Sequence, residues 1–431
     1  MVAVPARNFH AVWPSLFATS MGLMAFLPVI ALYVRERFAI EDPAALAGWA
    51  SVIYGAAPFA AAIAGPFWGA LGDRSGKKPM AIRANLAIAL TTASMPLLPS
   101  PEWLLAMRVL QGVLAGYVAP AMALVLQQTP HDQHGRVIAR LQVAMAAGSF
   151  LGPYVGAEVT HWFGRSSLFW VASALSALAA LQLHLRAREV APVATPARHP
   201  FLREFATSSL HLLRNPAIGW LLAALLVLRL GQNMLEPLLA LLVRDLGPAA
   251  WIAAVSATPA LALDRTIALA FAVLAVAQWV CTPWWGKMAD RHGPLRCLAL
   301  LALGLGGLFV AMAFVGTIDQ FLAVRCAVAC LMAGSMTLGY AAASKRVEER
   351  HRTLAFAMVQ SCIQFGLAIG PVIGGVVVGA NAGTAGFRAA FLIAAGLCAV
   401  AGVGMVLVRR LPAAGGATGT TVDEPVDGPV A

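Results

Sequence analysis

Charged residues are scarce in this sequence. Asp, Glu, Lys and Arg make up 11% of its 431 residues, hydrophobic residues make up 60%, and the mean hydropathy is +0.77. A water-soluble domain of this size needs a largely polar surface, which so few charges could not cover. The composition therefore excludes a soluble globular protein and favours a chain that places most of its residues in a lipid bilayer.

Cysteine is rare as well, and several familiar catalytic motifs are missing. The six cysteines lie in or beside apolar stretches, which argues against a disulfide framework. Cys326 and Cys330 are four residues apart, but no His or carboxylate neighbours them to complete a metal site. The sequence also lacks a GxxxxGK[ST] loop, a nucleophile elbow and an HExxH motif. We therefore expect no metal, no cofactor, no direct use of ATP and no enzymatic activity.

Long apolar stretches fill the rest of the chain. A bilayer-spanning helix needs about 20 apolar residues, and the sequence offers twelve such stretches, with 248–263 ambiguous. They are 12–34, 47–71, 80–98, 103–127, 137–162, 166–185, 217–243, 266–286, 295–315, 318–343, 353–379 and 386–408. The predicted fold class is an all-α membrane protein.

The net charge of +11 alternates from loop to loop of this topology. Six Arg residues lie on one side of the membrane: Arg35, Arg37, Arg165, Arg244, Arg265 and Arg388. Three lie inside spans: Arg108, Arg229 and Arg325. The other twenty-one of the thirty Lys and Arg lie on the opposite side, which places both termini in the cytoplasm. A nucleic-acid-binding protein would cluster its charge on one domain, so we expect no nucleic-acid partner.

An internal repeat is the most informative feature. Residues 69–78 recur in degraded form as residues 286–296, an offset of 217, and Arg108 maps onto Arg325 at the same offset. Gly152-Pro153 maps onto Gly370-Pro371 at nearly the same spacing. Two homologous apolar halves in series are typical of transporters with a central site between the halves.

The repeat and the composition divide the chain into four parts. Residues 1–186 and 216–410 form two pseudo-symmetric six-helix halves around a central cavity. Residues 187–215 form a polar connector whose second part is predicted to be an amphipathic helix on the cytoplasmic surface. Residues 411–431 are rich in Ala, Gly, Thr, Pro and acidic residues, and we predict a disordered tail.

Three motifs resemble a known family. They are Gly69-x-x-x-Asp73-Arg74-x-Gly76-Lys77-Lys78, Arg108-x-x-Gln111-Gly112 and Gly148-x-x-x-Gly152-Pro153-x-x-Gly156. On these motifs the chain resembles the major facilitator superfamily, most closely its twelve-span bacterial drug:proton antiporters. The resemblance covers about residues 10–410. It implies a monomeric inner-membrane antiporter, although the second copies of the first two motifs are degraded.

The first motif is a candidate gate. Glycines at 69, 72 and 76 allow close helix packing, and Asp73 could cap the positive end of another helix. The resemblance implies a partner at the start of span 11, near Arg352-Thr353, so that Asp73, Arg74 and Lys77 would latch the outward-facing state. The alternative is that the loop only sets topology through its positive charge.

The other two motifs lie inside spans. Burying the Arg108 guanidinium costs at least a few kcal/mol unless it is paired or hydrated, so it is a functional candidate. The resemblance links it to proton coupling, whereas the alternative is an Arg that reaches the membrane surface; Arg325 is the weaker candidate. Gly148, Gly152 and Gly156 form a small-residue face beside a bend at Pro153, which the resemblance associates with antiport.

Span 7 carries an unusual polar group. Four polar residues recur at helical spacing, namely Arg229, Gln232, Asn233 and Glu236. This spacing predicts one polar helix face that lines the central cavity. Burial favours the protonated form of a carboxyl group, so Glu236 is the predicted proton site, with Arg229 as modulator and Gln232 and Asn233 in the substrate cavity. The alternative is a static ion pair that fixes helix orientation.

Together with the charged residues inside the spans, the resemblance implies a proton-coupled exporter of small, hydrophobic or drug-like compounds. The alternative is a proton symporter or facilitator that imports a metabolite such as a sugar, peptide fragment or siderophore. A sugar site would need more polar residues than spans 1, 2 and 5 supply. A receptor or scaffold would not need a carboxylate and arginines inside its spans.

Overall fold

The computed structural model describes residues 6–130, 133–189, 214–347, 352–381 and 383–410, and every regular element in these ranges is a helix. Residues up to 189 are called the N-terminal segment and those from 214 the C-terminal segment. The first contains α1 (Ala6–Phe26), α2 (Ile30–Phe38), α3 (Pro43–Ser75), α4 (Lys77–Ser94), α5 (Pro101–Leu114), α6 (Val118–Leu126), α7 (His134–Phe163) and α8 (Ser167–Arg186). The second contains α9 (Pro216–Asn233), α10 (Leu239–Leu246), α11 (Ala250–Ala253), α12 (Pro259–His292), α13 (Pro294–Ala313), α14 (Ile318–Ser344), α15 (Arg352–Gly379) and α16 (Thr384–Arg410).

Capping residues followed by proline fix the start of both long helices α3 and α12. The side chains of Asp42 and Thr258 each accept a hydrogen bond from a backbone N–H three residues later, and Pro43 and Pro259 follow directly. The second helix therefore begins seven residues before the predicted start at 266. The ambiguous stretch 248–263 consists of the short helix α11 and the start of α12.

Ten stretches within the described ranges are long and apolar enough to cross a membrane. They correspond to ten of the twelve predicted spans. The remaining two predictions, 80–98 and 137–162, coincide with helices α4 and α7. Both helices carry basic residues near their start, Lys77, Lys78 and Arg83 on α4 and Arg136 and Arg140 on α7. The chain is thus a multi-pass helical membrane protein.

The two segments meet through two pairs of helices, α3 with α15 and α7 with α12. Small residues make the first contact close. A Cβ atom added to Gly375 would lie 2.7 Å from the Ala47 carbonyl oxygen, and one added to Gly379 would lie 3.1 Å from the Ala44 Cα. Because α3 starts and α15 ends here, this contact lies at the end of the bundle opposite the chain termini.

Aromatic side chains continue the contact between α3 and α15 toward the termini. The Phe59 and Phe365 rings still touch, with centroids 6.4 Å apart. Beyond them Ile63 and Phe67 on α3 and Phe356 on α15 are exposed. Within the described ranges, the close contacts between the segments thus lie toward one end of the bundle, here called the closed end, and the end that carries the termini is here called the open end.

Candidate functional site

Glu236 lies at a break in the seventh predicted span. Helix α9 ends at Asn233, and residues Glu236–Leu238 form a 3₁₀ turn before α10 begins. Pro237 has no N–H to donate to the carbonyl group of Asn233, which explains why the α-helix stops here. The prediction that Arg229, Gln232, Asn233 and Glu236 share one continuous helix face is therefore wrong for Glu236.

Arg325 is the partner of Glu236. Its Nη2 atom lies 2.9 Å from both carboxylate oxygens, and the two side chains are only 3% and 7% exposed. Its Nε atom also donates to the Ala270 carbonyl oxygen on α12, at 3.2 Å. A buried ion pair is tolerated when further hydrogen bonds satisfy the remaining donors. The alternative of a static ion pair within span 7 does not describe this contact, because the partner of Glu236 is Arg325, 89 residues away, and the role of Arg229 as modulator stays a prediction.

Arg108 occupies the equivalent place in the N-terminal segment but binds no carboxylate within the described residues. It donates from Nε to the Ile53 carbonyl oxygen at 3.1 Å and from Nη1 to Gln111 Oε1 at 2.5 Å. Gln111 in turn donates to the Thr92 hydroxyl at 2.8 Å. Arg108 is therefore neither lipid-facing nor at the surface, being only 3% exposed.

The backbone contacts of Arg108 and Arg325 follow the internal repeat of the sequence. Ile53 and Ala270, whose carbonyl oxygens accept from Arg108 and Arg325, are separated by the same 217 positions as the arginines themselves. Arg108 Nη2 also donates to the Tyr54 carbonyl oxygen on α3, at 3.3 Å. The turn at Glu236–Leu238 also packs against α3. A charged cluster therefore lies where the two segments meet.

A second polar group surrounds Arg229. Its Nη1 atom donates to Gln232 Oε1 at 3.1 Å, while its Nη2 atom and Gln232 Nε2 are buried without a partner among the described residues. Asn233 donates to the Arg229 carbonyl oxygen at 2.8 Å. The Tyr340 hydroxyl donates to Gln360 Oε1 at 2.6 Å. Unsatisfied donors of this kind can bind a polar group of a ligand.

The glycine face of α7 packs against α1. Cβ atoms added to Gly148, Gly152 and Gly156 would collide with backbone carbonyl oxygens of α1; for Gly152 the distance to the Met21 oxygen would be 2.6 Å. The predicted tight packing is confirmed, with Pro153 inside the helix. The contact lies within the N-terminal segment, so its suggested part in antiport stays a prediction.

The candidate gate is described only in part. Helix α3 runs through Gly69, Asp73 and Arg74. The side chains of Asp73 and Arg74 lie outside the described part of the chain, and so do those of Arg352 and Thr353. The proposed latch therefore stays a prediction.

The turn between α3 and α4 shows a contact that the sequence did not indicate. Gly76 has φ +94°, and the next two residues donate backbone N–H groups to the Glu189 carboxylate, Lys77 at 3.1 Å and Lys78 at 2.7 Å. Glu189 thus caps α4, where a negative charge is favourable.

Ion pairs join the segments at the closed end. Arg165 Nη1 lies 3.1 Å from Asp264 Oδ1, and Arg265 Nη2 lies 2.6 Å from Glu158 Oε1. Arg165 also pairs with Glu36 at 2.9 Å. Asp264 is a buried carboxylate within α12, only 6% exposed. The sequence pattern did not place Asp264 inside a span, because the predicted span began at 266 and α12 begins at Pro259.

The Major Facilitator Superfamily model matches residues 12–263 and 249–426. The chain belongs to this superfamily. As a major facilitator it is a membrane transporter of small molecules.

Two kinds of relative resemble this major facilitator. The Multidrug resistance protein MdtG of Escherichia coli is 28% identical over 397 residues, covering 91% of each chain. The crystal structure of nucleoside transporter NupG aligns with a TM-score of 0.77 at 12% identity, covering 94% of this chain and 100% of the other. A bacterial homologue of the human lysosomal transporter Spinster, in an inward-facing and occupied conformation, aligns at 0.75 and 15%, covering 95% and 98%. The solved structures show the shared fold alone.

Proposed function

We propose that this protein is a proton-coupled exporter of small hydrophobic or drug-like compounds. The observation that carries the proposal is the buried Glu236–Arg325 pair, which lies where the turn after α9 contacts α3 of the other segment. A carboxylate in this position can take up a proton and can influence how the segments pack. The multidrug resistance name of the relative MdtG supports the direction and the substrate class.

The proposed architecture is twelve spans in two pseudo-symmetric halves, 1–186 and 216–410. The equivalent contacts of Arg108 and Arg325 support this arrangement. The excess of Lys and Arg at the open end supports placing that end, and both termini, in the cytoplasm of a bacterial inner membrane. The structure then corresponds to an inward-facing state of a monomeric transporter.

Proton binding would act on the ion pair. A proton on Glu236 removes the charge that holds the Arg325 Nη2 atom, while Arg325 keeps the Ala270 carbonyl oxygen as a second acceptor. The released guanidinium charge would then lie unpaired beside the turn that contacts α3. In the proposed cycle, protonation and deprotonation of Glu236 change how the turn packs against the other segment. This change in packing opens the two ends of the bundle alternately.

The substrate would enter the cavity from the open end. Gln232 Nε2 and the Arg229 Nη2 atom, which have no partner among the described residues, would meet polar groups of the substrate. The apolar helix faces around them would contact the rest of it. Opening the closed end requires breaking the ion pairs of Arg165 and Arg265 with the opposite segment. Asp73, Arg74 and Lys77 would then latch the open end shut.

A drug-susceptibility panel in an efflux-deleted bacterial host tests the proposal. Expression of the protein should raise the tolerated concentration of several hydrophobic compounds, and a protonophore should remove the effect. The control is Glu236→Gln at matched membrane abundance, which should give no protection. Accumulation of a metabolite on expression, with no protection against any compound, would favour the alternative of an importer.

A further inference from the structure

A cavity lies on the flank of the N-terminal segment, away from the charged cluster. This flank groove, of about 940 Å³, is bounded mainly by α4 and α5. It lies beside the end of α5 at Leu114, after which the chain turns at Gly116, with φ +99°, before α6 begins. The side chains of Leu86, Leu90 and Leu110 line it and are 45%, 72% and 44% exposed.

One end of the flank groove is basic. The Arg83 guanidinium lies 3.4 Å from the centre of the Trp68 ring, and its Nε and Nη1 atoms are buried without a hydrogen-bond partner among the described residues. The indole N–H of Trp68 donates a hydrogen bond to the Val113 carbonyl oxygen at 2.5 Å, which holds the ring in place. Lys78 lines the same end. None of the described lining residues is acidic.

The charges and the apolar walls are arranged along the helix axis. Arg83 lies six residues beyond the start of α4 at Lys77, which corresponds to about 9 Å, and Leu90 lies about 20 Å beyond that start. The basic end thus faces the open end of the bundle, and the apolar walls extend toward its middle. A molecule with an anionic head and a long apolar tail would match both regions.

We propose that the flank groove binds an anionic phospholipid of the surrounding membrane. Its phosphate group accepts hydrogen bonds from Arg83, and an acyl chain lies against the leucines of α4 and α5. Charge-assisted bonds from arginine to phosphate are among the strongest that a side chain offers. A hydrophobic cation would be repelled by Arg83, which separates this groove from the proposed transport route.

Native mass spectrometry of the purified full-length protein tests the site. Palmitoyl-oleoyl phosphatidylglycerol should bind about five- to tenfold more tightly than the zwitterionic phosphatidylcholine with the same chains. Arg83→Gln should remove this preference. The matched control is Arg140→Gln, which removes an exposed arginine from α7 and should leave the preference intact.

Further arms separate the lipid from other ligands. Ala87→Phe fills the flank groove without changing charge and should weaken binding of both lipids. This test remains valid even when the Arg83→Gln variant does not fold. Soluble glycerol phosphate should not displace phosphatidylglycerol, and neither should tetraphenylphosphonium. Equal binding of the two lipids, equal losses in Arg83→Gln and Arg140→Gln, or displacement by either soluble compound would overturn the proposal.

Discussion

Arg325→Leu offers a sharp prediction because it leaves Glu236 without its counter-charge. Both side chains are almost fully buried, so water screens the pair little. Removing one partner of a buried ion pair costs about 3–5 kcal/mol when the other stays charged. A protonated Glu236 needs no counter-charge, so proton uptake limits the loss. We therefore expect Arg325→Leu to lower the unfolding temperature more at pH 8 than at pH 5.

The double variant Arg325→Leu/Glu236→Gln removes both charges. Replacing a whole buried pair by uncharged groups is often neutral or stabilising. The double variant should therefore unfold at a higher temperature than Arg325→Leu at pH 8, and the difference should be small at pH 5. Thermal unfolding of the purified proteins in detergent, followed by intrinsic fluorescence, measures this.

Arg229→Leu is the matched control, because Arg229 forms its hydrogen bond with the uncharged Gln232. It should show no comparable dependence on pH. A double variant no more stable than Arg325→Leu, or an equal pH dependence in Arg229→Leu, would refute the importance of the ion pair.

Three further predictions concern the packing of the helices and the gate. Gly152→Val should reduce the folded yield, because its side chain would collide with the Met21 carbonyl oxygen; size-exclusion chromatography measures this, and an unchanged yield would contradict the contact. Glu158→Arg should reduce efflux in a dye-efflux assay because it places two cations together, and adding Arg265→Glu should restore efflux. No rescue by the second substitution would contradict a role for this ion pair. Asp73→Asn should keep normal membrane abundance but strongly reduce efflux, and near wild-type efflux would leave the loop as a topology anchor.

Much of the helical layout was predictable from local sequence. Apolar stretches of spanning length, bounded by caps and prolines, are local features, so their positions agree with the helices of the structure. The equivalence of Arg108 and Arg325 was also predictable, because an internal repeat preserves spacing. The early start of α12 was missed because Asp264 and Arg265 interrupt the apolar pattern from which spans are read.

The contacts of the candidate site were not predictable in the same way. Helical spacing suggested Arg229 beside Glu236, yet Pro237 ends the regular helix and Arg325 approaches from another helix. The Glu189 cap on α4 likewise joins positions more than a hundred residues apart. Such pairs depend on how helices pack, and a single sequence contains no direct signal of that packing.

Substrate-induced proton release from detergent-purified protein tests the central claim most directly. In weakly buffered solution, adding a transported compound to the wild-type protein should release protons, because substrate and proton compete through the state of Glu236. Glu236→Gln should still bind the compound but release none, since an amide cannot carry the proton. Undiminished release from Glu236→Gln would contradict the claim and move the proton site to another group.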